Sequence, residues 1–251
     1  MLRASRFGEA DTIVTYITLD FGIKKAFAKS SRKIKSRFGG SLEVFTHSTI
    51  GLMGKEDAQM PRLVQSDIIK PFYAARESYR GLVAASSMAE LLIGLLPEGV
   101  PNPEAFHLLL DTLDAMDEAH ANLYALAFRI RLLAMKGYGP WTRGCIRCGA
   151  EGRQYHFYVS QGAVVCATCA SKVGAAGHDR QHGRVIALLQ GSAKMFEALA
   201  TWEMGKLGRL KVSQSALAEL TGLLDAHIEH IISRPLKASH TALAGSTAQS
   251  A

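Results

Sequence analysis

The stretch TIVTYITLDFGIKKAFA, residues 12–28, decides the fold of the first part of this chain. Its first eight residues, Thr12–Leu19, are rich in β-branched and aromatic side chains, which favour a strand. Asp20, Phe21 and Gly22 form a turn signal, and Ile23–Ala28 follows as a second short strand. The stretch therefore predicts a β-hairpin.

Three further segments extend this hairpin into a small sheet. Leu42–Met53 and Arg62–Ile69 have the composition of strands, and residues 2–8 can supply one more. Five short strands within about 70 residues, with no helix needed between them, are typical of a small closed barrel. We therefore expect an N-terminal barrel.

Positive charge is concentrated in the second strand of the hairpin and in the residues that follow it. Seven of the fourteen residues in Lys24–Arg37 are Lys or Arg, and none is acidic. Residues 1–80 hold 14 basic and 8 acidic groups, whereas residues 81–251 hold 15 and 14, so the net charge of +7 lies mostly in the N-terminal third. Such an excess indicates a polyanionic partner, either nucleic acid or an anionic membrane surface. A solvated basic loop that only aids solubility is the alternative, and composition leaves both open.

Apolar side chains change to a helical spacing after Ala74. The segments with this spacing are 82–96, 106–116, 123–134, 193–199 and 215–232. Asn102, Pro103 and Glu104 are a strong helix start, because Asn caps, Pro suits the first helical position, and an acid suits the positive end. Residues 174–183 are expected to form a loop, and the Ala-, Ser- and Thr-rich residues 237–251 a disordered tail.

All four cysteines fall in two C-x2-C pairs, Cys145 with Cys148 and Cys166 with Cys169, seventeen residues apart. This spacing is typical of a tetrahedral zinc site, and a four-thiolate shell leaves no open position for catalysis. We therefore predict one structural Zn²⁺ per chain, with Tyr155–Val159 and Ala163–Val165 as the connecting hairpin. Disulfides are disfavoured in the cytoplasm, and a thioredoxin-like motif needs a single C-x-x-C beside a βαβ unit.

Other functional signals are weak. No apolar run approaches the ~20 residues of a membrane span, and the N-terminus has no signal-peptide core, so a cytoplasmic protein without a membrane partner is expected. Phosphate-binding, dinucleotide-binding and metalloprotease motifs are absent from the sequence, and we predict no enzyme. The histidine pairs at 178 and 182 and at 227 and 230 are interpreted as surface or internally satisfied residues.

Taken in order, several passages resemble the RecO family of bacterial recombination mediators. Residues 5–47 resemble its opening hairpin and basic loop, and LLPEGVPNPEAFHLLLDTLDAM (95–116) its helical middle. FRIRLLAMKGYGPWTRGCIRCGA (128–150) with GAVVCATCA (162–170) resembles its zinc segment, and HIEHIISRPLKA (227–238) its last helix. The resemblance covers nearly the whole chain.

The resemblance implies an α+β fold with an inserted zinc finger. We expect an OB-fold DNA-binding barrel at 1–72, a helical domain at 73–140 and 184–236, and the four-cysteine zinc finger at 141–173. The family binds single- and double-stranded DNA, anneals complementary strands and helps load recombinase on DNA coated by single-strand-binding protein (SSB). It acts with RecR and, in some bacteria, with RecF, and we expect the helical domain to hold the C-terminal tail of SSB. A place at the nucleoid follows from these partners.

The resemblance also assigns a DNA-binding surface. Its residues here are Lys24, Lys25, Lys29, Arg32, Lys33, Lys35 and Arg37, with Arg3 and Arg6 as additions. Phe27, Phe38 and Phe45 are candidates for base stacking, and a place in the core is an equal alternative for each of them. Phe38 is expected to be exposed because it lies between Arg37 and Gly39.

Two departures from the family and two rival functions stay open. The chain begins later than is typical of the family, which predicts a short first strand, and a misassigned start codon would explain it. The usual basic, aromatic ending is replaced by ASHTALAGSTAQSA.

The main rival function is that of a zinc-stabilised transcriptional regulator or adaptor, although no recognition-helix pattern is evident. A nuclease would need clustered carboxylates for Mg²⁺, and the acids here are scattered.

Overall fold

The computed structural model describes residues 1–55, 58–172 and 184–236. The chain divides into two compact units, 1–121 and 122–251. The predicted loop at 174–183 and the predicted tail at 237–251 lie outside the described residues. Among the helices described, none combines the length and the apolar character needed to cross a membrane.

Five strands of the first unit form one sheet. They are β1 (Arg3–Phe7), β2 (Asp11–Thr18), β3 (Gly22–Ala28), β4 (Thr46–Met53) and β5 (Arg62–Pro71). Their order is β1-β2-β3-β5-β4, and all neighbours are antiparallel except β3 and β5. The amino group of Met1 donates to Thr46 O at 2.7 Å, and the Phe45 N–H donates to Met1 O at 2.9 Å. These bonds join the two edges of the sheet, so the predicted OB-fold barrel is confirmed.

The turn between β2 and β3 depends on glycine. Thr18 and Gly22 close the hairpin, and the Thr18 hydroxyl accepts from Phe21 N and donates to Gly22 O, both at 3.1 Å. Gly22 has a φ of +61°, and a Cβ there would lie 1.9 Å from the Val100 carbonyl oxygen. This three-residue loop with a left-handed closing glycine is a favoured hairpin geometry.

Alternate residues of the strands fill the barrel core, which contains Val14, Tyr16, Ala26 and Leu63. Phe38 belongs to the same core and is only 4% exposed, so the prediction of an exposed Phe38 is wrong. The ring enters the core because its apolar surface gains about 2–3 kcal/mol when it leaves water.

The fourth strand begins later than expected. Residues Gly39–Leu42 form a short 3-10 helix, and the strand starts only at Thr46. Phe45, just before it, has a left-handed φ of +58° and is 2% exposed. This backbone conformation interrupts an extended chain, which explains why the apolar pattern from Leu42 onward does not make one continuous strand.

Two helices complete the first unit. They are α1 (Tyr79–Leu95) and α2 (Pro103–Ala115). Asn102 caps α2 as predicted, since its side-chain oxygen accepts from Ala105 N at 3.0 Å. The connection between the helices lies against the barrel: Gly99 N donates to Ile23 O at 2.9 Å, and Lys25 forms an ion pair with Glu98.

The second unit combines helices with a three-stranded antiparallel sheet. Its helices are α3 (Ala121–Met135), α4 (Ala167–Ser171), α5 (Gln190–Thr201) and α6 (Gln214–Ile232). Its strands are β6 (Gln154–Tyr158), β7 (Ala163–Cys166) and β8 (Val185–Leu189), in the order β7-β6-β8. The predicted hairpin corresponds to β6 and β7. Strand β8 was not predicted, because its pairing with β6 spans about 30 residues and leaves no local signal.

Buried apolar side chains form the core of the second unit. Phe128, Leu132, Leu133, Leu223 and Leu224 are all fully buried. One buried polar contact joins α3 to α6, an ion pair between Arg129 and Asp225. The pair compensates a guanidinium that is only 4% exposed, and breaking it would leave a buried charge.

Candidate nucleic-acid interface and metal centre

The loop Lys29–Arg37, called the basic loop below, is fixed to the turn between β1 and β2. Ser30 N donates to the Asp11 carboxylate at 2.6 Å, and Arg32 N donates to Ala10 O at 2.9 Å. The Ser31 hydroxyl donates to the Thr12 hydroxyl at 2.8 Å. The first half of the loop therefore has a defined position at one end of the barrel.

The second half of the basic loop ends in the barrel core. Phe38 is buried there, and the Arg37 guanidinium lies 5.3 Å from the centre of its ring. Since both ends of the loop are held, the charges between them are presented from a defined frame. The exposed cations of the loop are Lys29, Arg32, Lys33, Lys35 and Arg37.

The charge of the basic loop is not balanced internally. None of its five cations forms an ion pair with a carboxylate in the described part of the chain, and Asp11 already accepts from a backbone amide. Like charges this close repel one another, so an external anion would stabilise the arrangement. The loop is suited to bind phosphates.

The other cations assigned from the sequence occupy different positions. Arg3 and Arg6 are exposed on β1, and the backbone of Arg6 is paired with Thr12 next to the loop attachment. Lys24 and Lys25 are half-buried on β3, and Lys25 is engaged by Glu98. The backbone of Arg6 therefore lies next to the attachment of the basic loop, whereas Lys25 already has a counter-charge.

An aromatic pair lies on the outer face of β1 and β3. The rings of Phe7 and Phe27 pack edge to face with centroids 5.7 Å apart, and Phe7 is 53% exposed. The sequence analysis named Phe27 but missed Phe7. The alternation of side chains along β1 could have revealed Phe7, since Arg3, Ser5 and Phe7 share one face of that strand.

Arg62 is a second residue that the sequence analysis missed. Phe27 N donates to Pro61 O at 2.9 Å, and Phe27 and Arg62 are register partners in the parallel pairing of β3 with β5. This brings the exposed Arg62 beside the aromatic pair. No local pattern could reveal it, because the parallel pairing joins residues 35 positions apart.

The four cysteines form one cluster in the second unit. Their sulfur atoms all lie within 4.8 Å of one another, and Cys148 Sγ and Cys166 Sγ are 3.8 Å apart. A tetrahedron with metal–sulfur bonds of about 2.3 Å has edges of about 3.8 Å. The cluster could therefore hold one metal ion, and its donors fit a tetrahedral site.

Two local structures position the sulfurs. Gly149 N donates to Cys145 O at 2.8 Å, and Gly149 has a φ of +72°, which closes a tight turn around the first pair. Cys166 ends β7 and caps α4, with Cys169 N 3.4 Å from its sulfur. Each C-x-x-C pair therefore presents both sulfurs from one turn.

The thiols also differ in acidity. Burial raises the pKa of Cys145, but hydrogen bonds from backbone amides of Cys166, Arg147 and Cys148 outweigh it and lower the pKa to about 6. Hydrogen bonds with Cys148 and Cys166 are the main cause that raises the pKa of Cys169 to about 12. Four thiols this close cannot all ionise unaided, and a bound cation removes that restriction.

No histidine of the described residues belongs to the cysteine cluster. His227 is buried and its Nε2 lies 2.8 Å from Tyr138 O, so one ring nitrogen is satisfied internally, whereas its buried Nδ1 has no hydrogen-bond partner among the described residues. His230, three residues later on α6, is exposed. The predicted pair at 178 and 182 lies outside the described residues.

Two family models match this chain, and together they define its class. The N-terminal model of recombination protein O matches residues 1–72, and the C-terminal model of the same protein matches residues 76–240. The barrel and the cysteine-bearing helical region therefore correspond to the two parts of a recombination protein.

Individual relatives agree with these matches. DNA repair protein RecO of Thermodesulfovibrio yellowstonii is 39% identical over 229 residues, covering 91% of this chain and 89% of the relative. DNA repair protein RecO of Desulforamulus reducens is 30% identical over 240 residues, covering 94% and 89%. The protein of the same name from Dehalococcoides mccartyi is 31% identical over 242 residues. This chain belongs to the RecO family.

Proposed function

We propose that this protein is a DNA repair and recombination mediator. It binds single- and double-stranded DNA, anneals complementary strands and helps load recombinase on SSB-coated DNA. One observation carries the proposal: five exposed cations, none of which has an ion-pair partner among the described residues, lie on a loop that is fixed at both ends. The family membership and the name shared by its relatives support the same function.

Annealing by this route requires no covalent chemistry. Two complementary strands repel one another through their phosphates, and a surface of lysines and arginines lowers that repulsion while releasing condensed counterions. Each phosphate neutralised on a single strand contributes a slope of about −0.7 to the dependence of log affinity on log salt. Five loop cations can therefore make binding strongly salt-dependent.

The aromatic pair adds a contribution that does not depend on charge. Stacking of a base on an exposed aromatic ring contributes about 1–3 kcal/mol and tolerates any base. Phe7 is the exposed member of the aromatic pair and can offer its ring for this contact, whereas Phe38 and Phe45 are buried. Sequence-tolerant binding of this kind suits a protein that must act on any damaged DNA.

We infer that the cysteine cluster holds one structural Zn²⁺. Cys145, Cys148, Cys166 and Cys169 would be its ligands, and zinc is the ion that a set of four thiolates favours in such spacing. The ion would stabilise the turn at Cys145–Gly149 against β7 and α4. A shell closed by four sulfurs supplies structure and no open position for a reacting water.

The partners and the location follow from the family. We propose that the protein acts with RecR, contacts the C-terminal tail of SSB through its helical region, and uses RecF where the organism requires it. Binding to DNA would place it at the nucleoid in the cytoplasm.

The decisive experiment is annealing of two complementary, fluorescently labelled strands already coated with the cognate SSB. We expect the protein to accelerate annealing, and a variant with Lys33, Lys35 and Arg37 changed to Glu to lose most of the acceleration. A protein that binds DNA but leaves the annealing rate of coated strands unchanged would contradict the mediator function.

A further inference from the structure

Ile34 is an apolar side chain placed where hydrophobic residues are rarely found. It lies in the middle of the basic loop and is fully exposed. Single exposed hydrophobic residues on strands and helices are common, but those usually keep part of their surface covered by neighbours. Ile34 has no such cover, so packing within the first unit does not explain its presence.

Ile34 is exposed because it lies in a turn of the backbone. Ser36 N donates to Lys33 O at 2.9 Å, so Ile34 and Lys35 are the central residues of a hydrogen-bonded turn. Central turn positions favour Gly, Pro, Asn, Asp or Ser, and a β-branched residue gains nothing there. The turn therefore presents an isoleucine to solvent although its conformation does not call for one.

Cations flank the apolar side chain on both sides. Lys33 and Lys35 are its direct neighbours, and Arg32 is held by its backbone bond to Ala10. If these cations bind phosphates as proposed above, the side chain between them meets the neighbouring sugars and bases. Ile34 is then in the position of a wedge between base steps.

We propose that Ile34 inserts between two adjacent bases of bound single-stranded DNA. This inference rests on the proposed function and specifies how the basic loop contacts its ligand. Single strands are favoured over duplex because insertion opens the stack of one flexible strand only, whereas in a duplex it must also kink the helix. Insertion would hold neighbouring bases apart, with their pairing edges free for a complementary strand.

The test uses the full-length protein and an oligonucleotide that carries 2-aminopurine, whose fluorescence rises when stacking is lost. We expect a fluorescence rise with the wild-type protein and with Ile34→Leu, and most of the rise to be lost with Ile34→Ala. The affinity of Ile34→Ala for single strands should fall by about five- to tenfold, as expected for the loss of buried apolar surface. Its affinity for duplex should fall by less than about twofold.

The matched control is Ile69→Ala. Ile69 is 58% exposed on β5 of the same unit, and Lys70, the cation next to it in the chain, is already engaged by Asp114. This variant should keep the fluorescence rise and the affinity of the wild type. Equal loss in both variants, or equal loss for single strands and duplex with Ile34→Ala, would overturn the wedge.

Salt dependence separates this proposal from the proposed function. Ile34→Ala removes no charge, so its slope of log affinity against log salt should equal that of the wild type. A wild-type slope in the charge-reversed loop variant would instead reject the basic loop as the DNA surface. Unchanged fluorescence and affinity in Ile34→Ala, with a reduced slope in the loop variant, would reject the wedge alone.

Discussion

Gly22 shows how one residue can hold the barrel hairpin. Its left-handed backbone and the nearby Val100 carbonyl both exclude a side chain. Gly8, in the turn between β1 and β2, has a similar φ of +57° but open space around the position of a Cβ. A substitution at Gly8 therefore tests the cost of the left-handed backbone alone, whereas a substitution at Gly22 also tests the steric clash with Val100.

We expect Gly8→Ala to lower the free energy of unfolding by about 1 kcal/mol, the backbone cost alone. Gly22→Ala should lower it by about 3 kcal/mol, since the segment at Val100 must also move. Urea unfolding of both variants measures the difference. Equal losses would show that the contact with Val100 carries no energetic weight.

His227 predicts a dependence of stability on pH. Burial, the largest effect, lowers its pKa below the ordinary value of 6.5, and hydrogen bonds with the carbonyls of Tyr138 and Val159 only partly oppose it. The unfolded chain therefore takes up a proton at a higher pH than the folded chain. Stability from this residue is complete above 6.5 and is lost as the pH falls towards the lower folded value.

We expect the free energy of unfolding of the wild type to be lower at about pH 5.5 than at about pH 7.5. This decrease should be smaller in His227→Gln. His230→Gln removes an exposed histidine from the same helix; because His230 is the smallest of the causes that lower the pKa of His227, this variant should lose nearly as much stability as the wild type. Because metal release also depends on pH, the comparison among the three proteins is the measurement. An identical loss in His227→Gln and the wild type would contradict the assignment.

The basic loop is the element in which charge and position coincide. Its hydrogen bonds to the turn at Ala10 and Asp11 define where the loop lies, and the residues between Ser30 and Phe38 supply the charge. Neither property alone predicts a phosphate-binding surface, because a mobile charged loop is equally compatible with simple solvation.

Changing Lys33, Lys35 and Arg37 to Glu should weaken DNA binding and flatten its salt dependence by about two units or more, since three phosphate contacts are lost. The matched control changes Lys172, Lys194 and Lys211 to Glu, which alters the net charge equally at exposed positions of the second unit. A salt titration of binding distinguishes the two variants. The same flattening in both would indicate a general effect of net charge.

At the scale of the whole molecule, the proposed DNA surface and the proposed metal centre belong to different units. The basic loop belongs to unit 1–121, and the four cysteines belong to unit 122–251. A metal in the cysteine cluster should therefore contribute to stability without contributing directly to the affinity of the barrel for DNA.

Metal analysis should find about one zinc per chain. Chelation should lower the free energy of unfolding by at least about 3 kcal/mol, because the four thiols lose the ion that holds them together. The DNA affinity should change by less than about twofold under conditions where the protein stays folded. Cys148→Ser should reproduce the loss of stability without chelator, and a metal-free wild type of full stability would reject the metal centre.

The sequence by itself determined the features that are local. Strand composition and the glycine turn predicted the barrel hairpin, Asn102 predicted the start of α2, and the spacing of Cys145, Cys148, Cys166 and Cys169 predicted the cluster. Each of these signals comes from residues within about one element of one another, where propensity and short-range geometry decide the outcome.

The tertiary structure decided which side chains are exposed and which distant residues meet. Phe38 entered the core instead of facing solvent, Arg62 came beside Phe27 through parallel pairing, and Lys25 gained Glu98 as a partner. β8 likewise formed only because β6 offered it an edge. These outcomes depend on apolar burial and long-range pairing, which sum over many residues and leave no pattern in a short stretch of sequence.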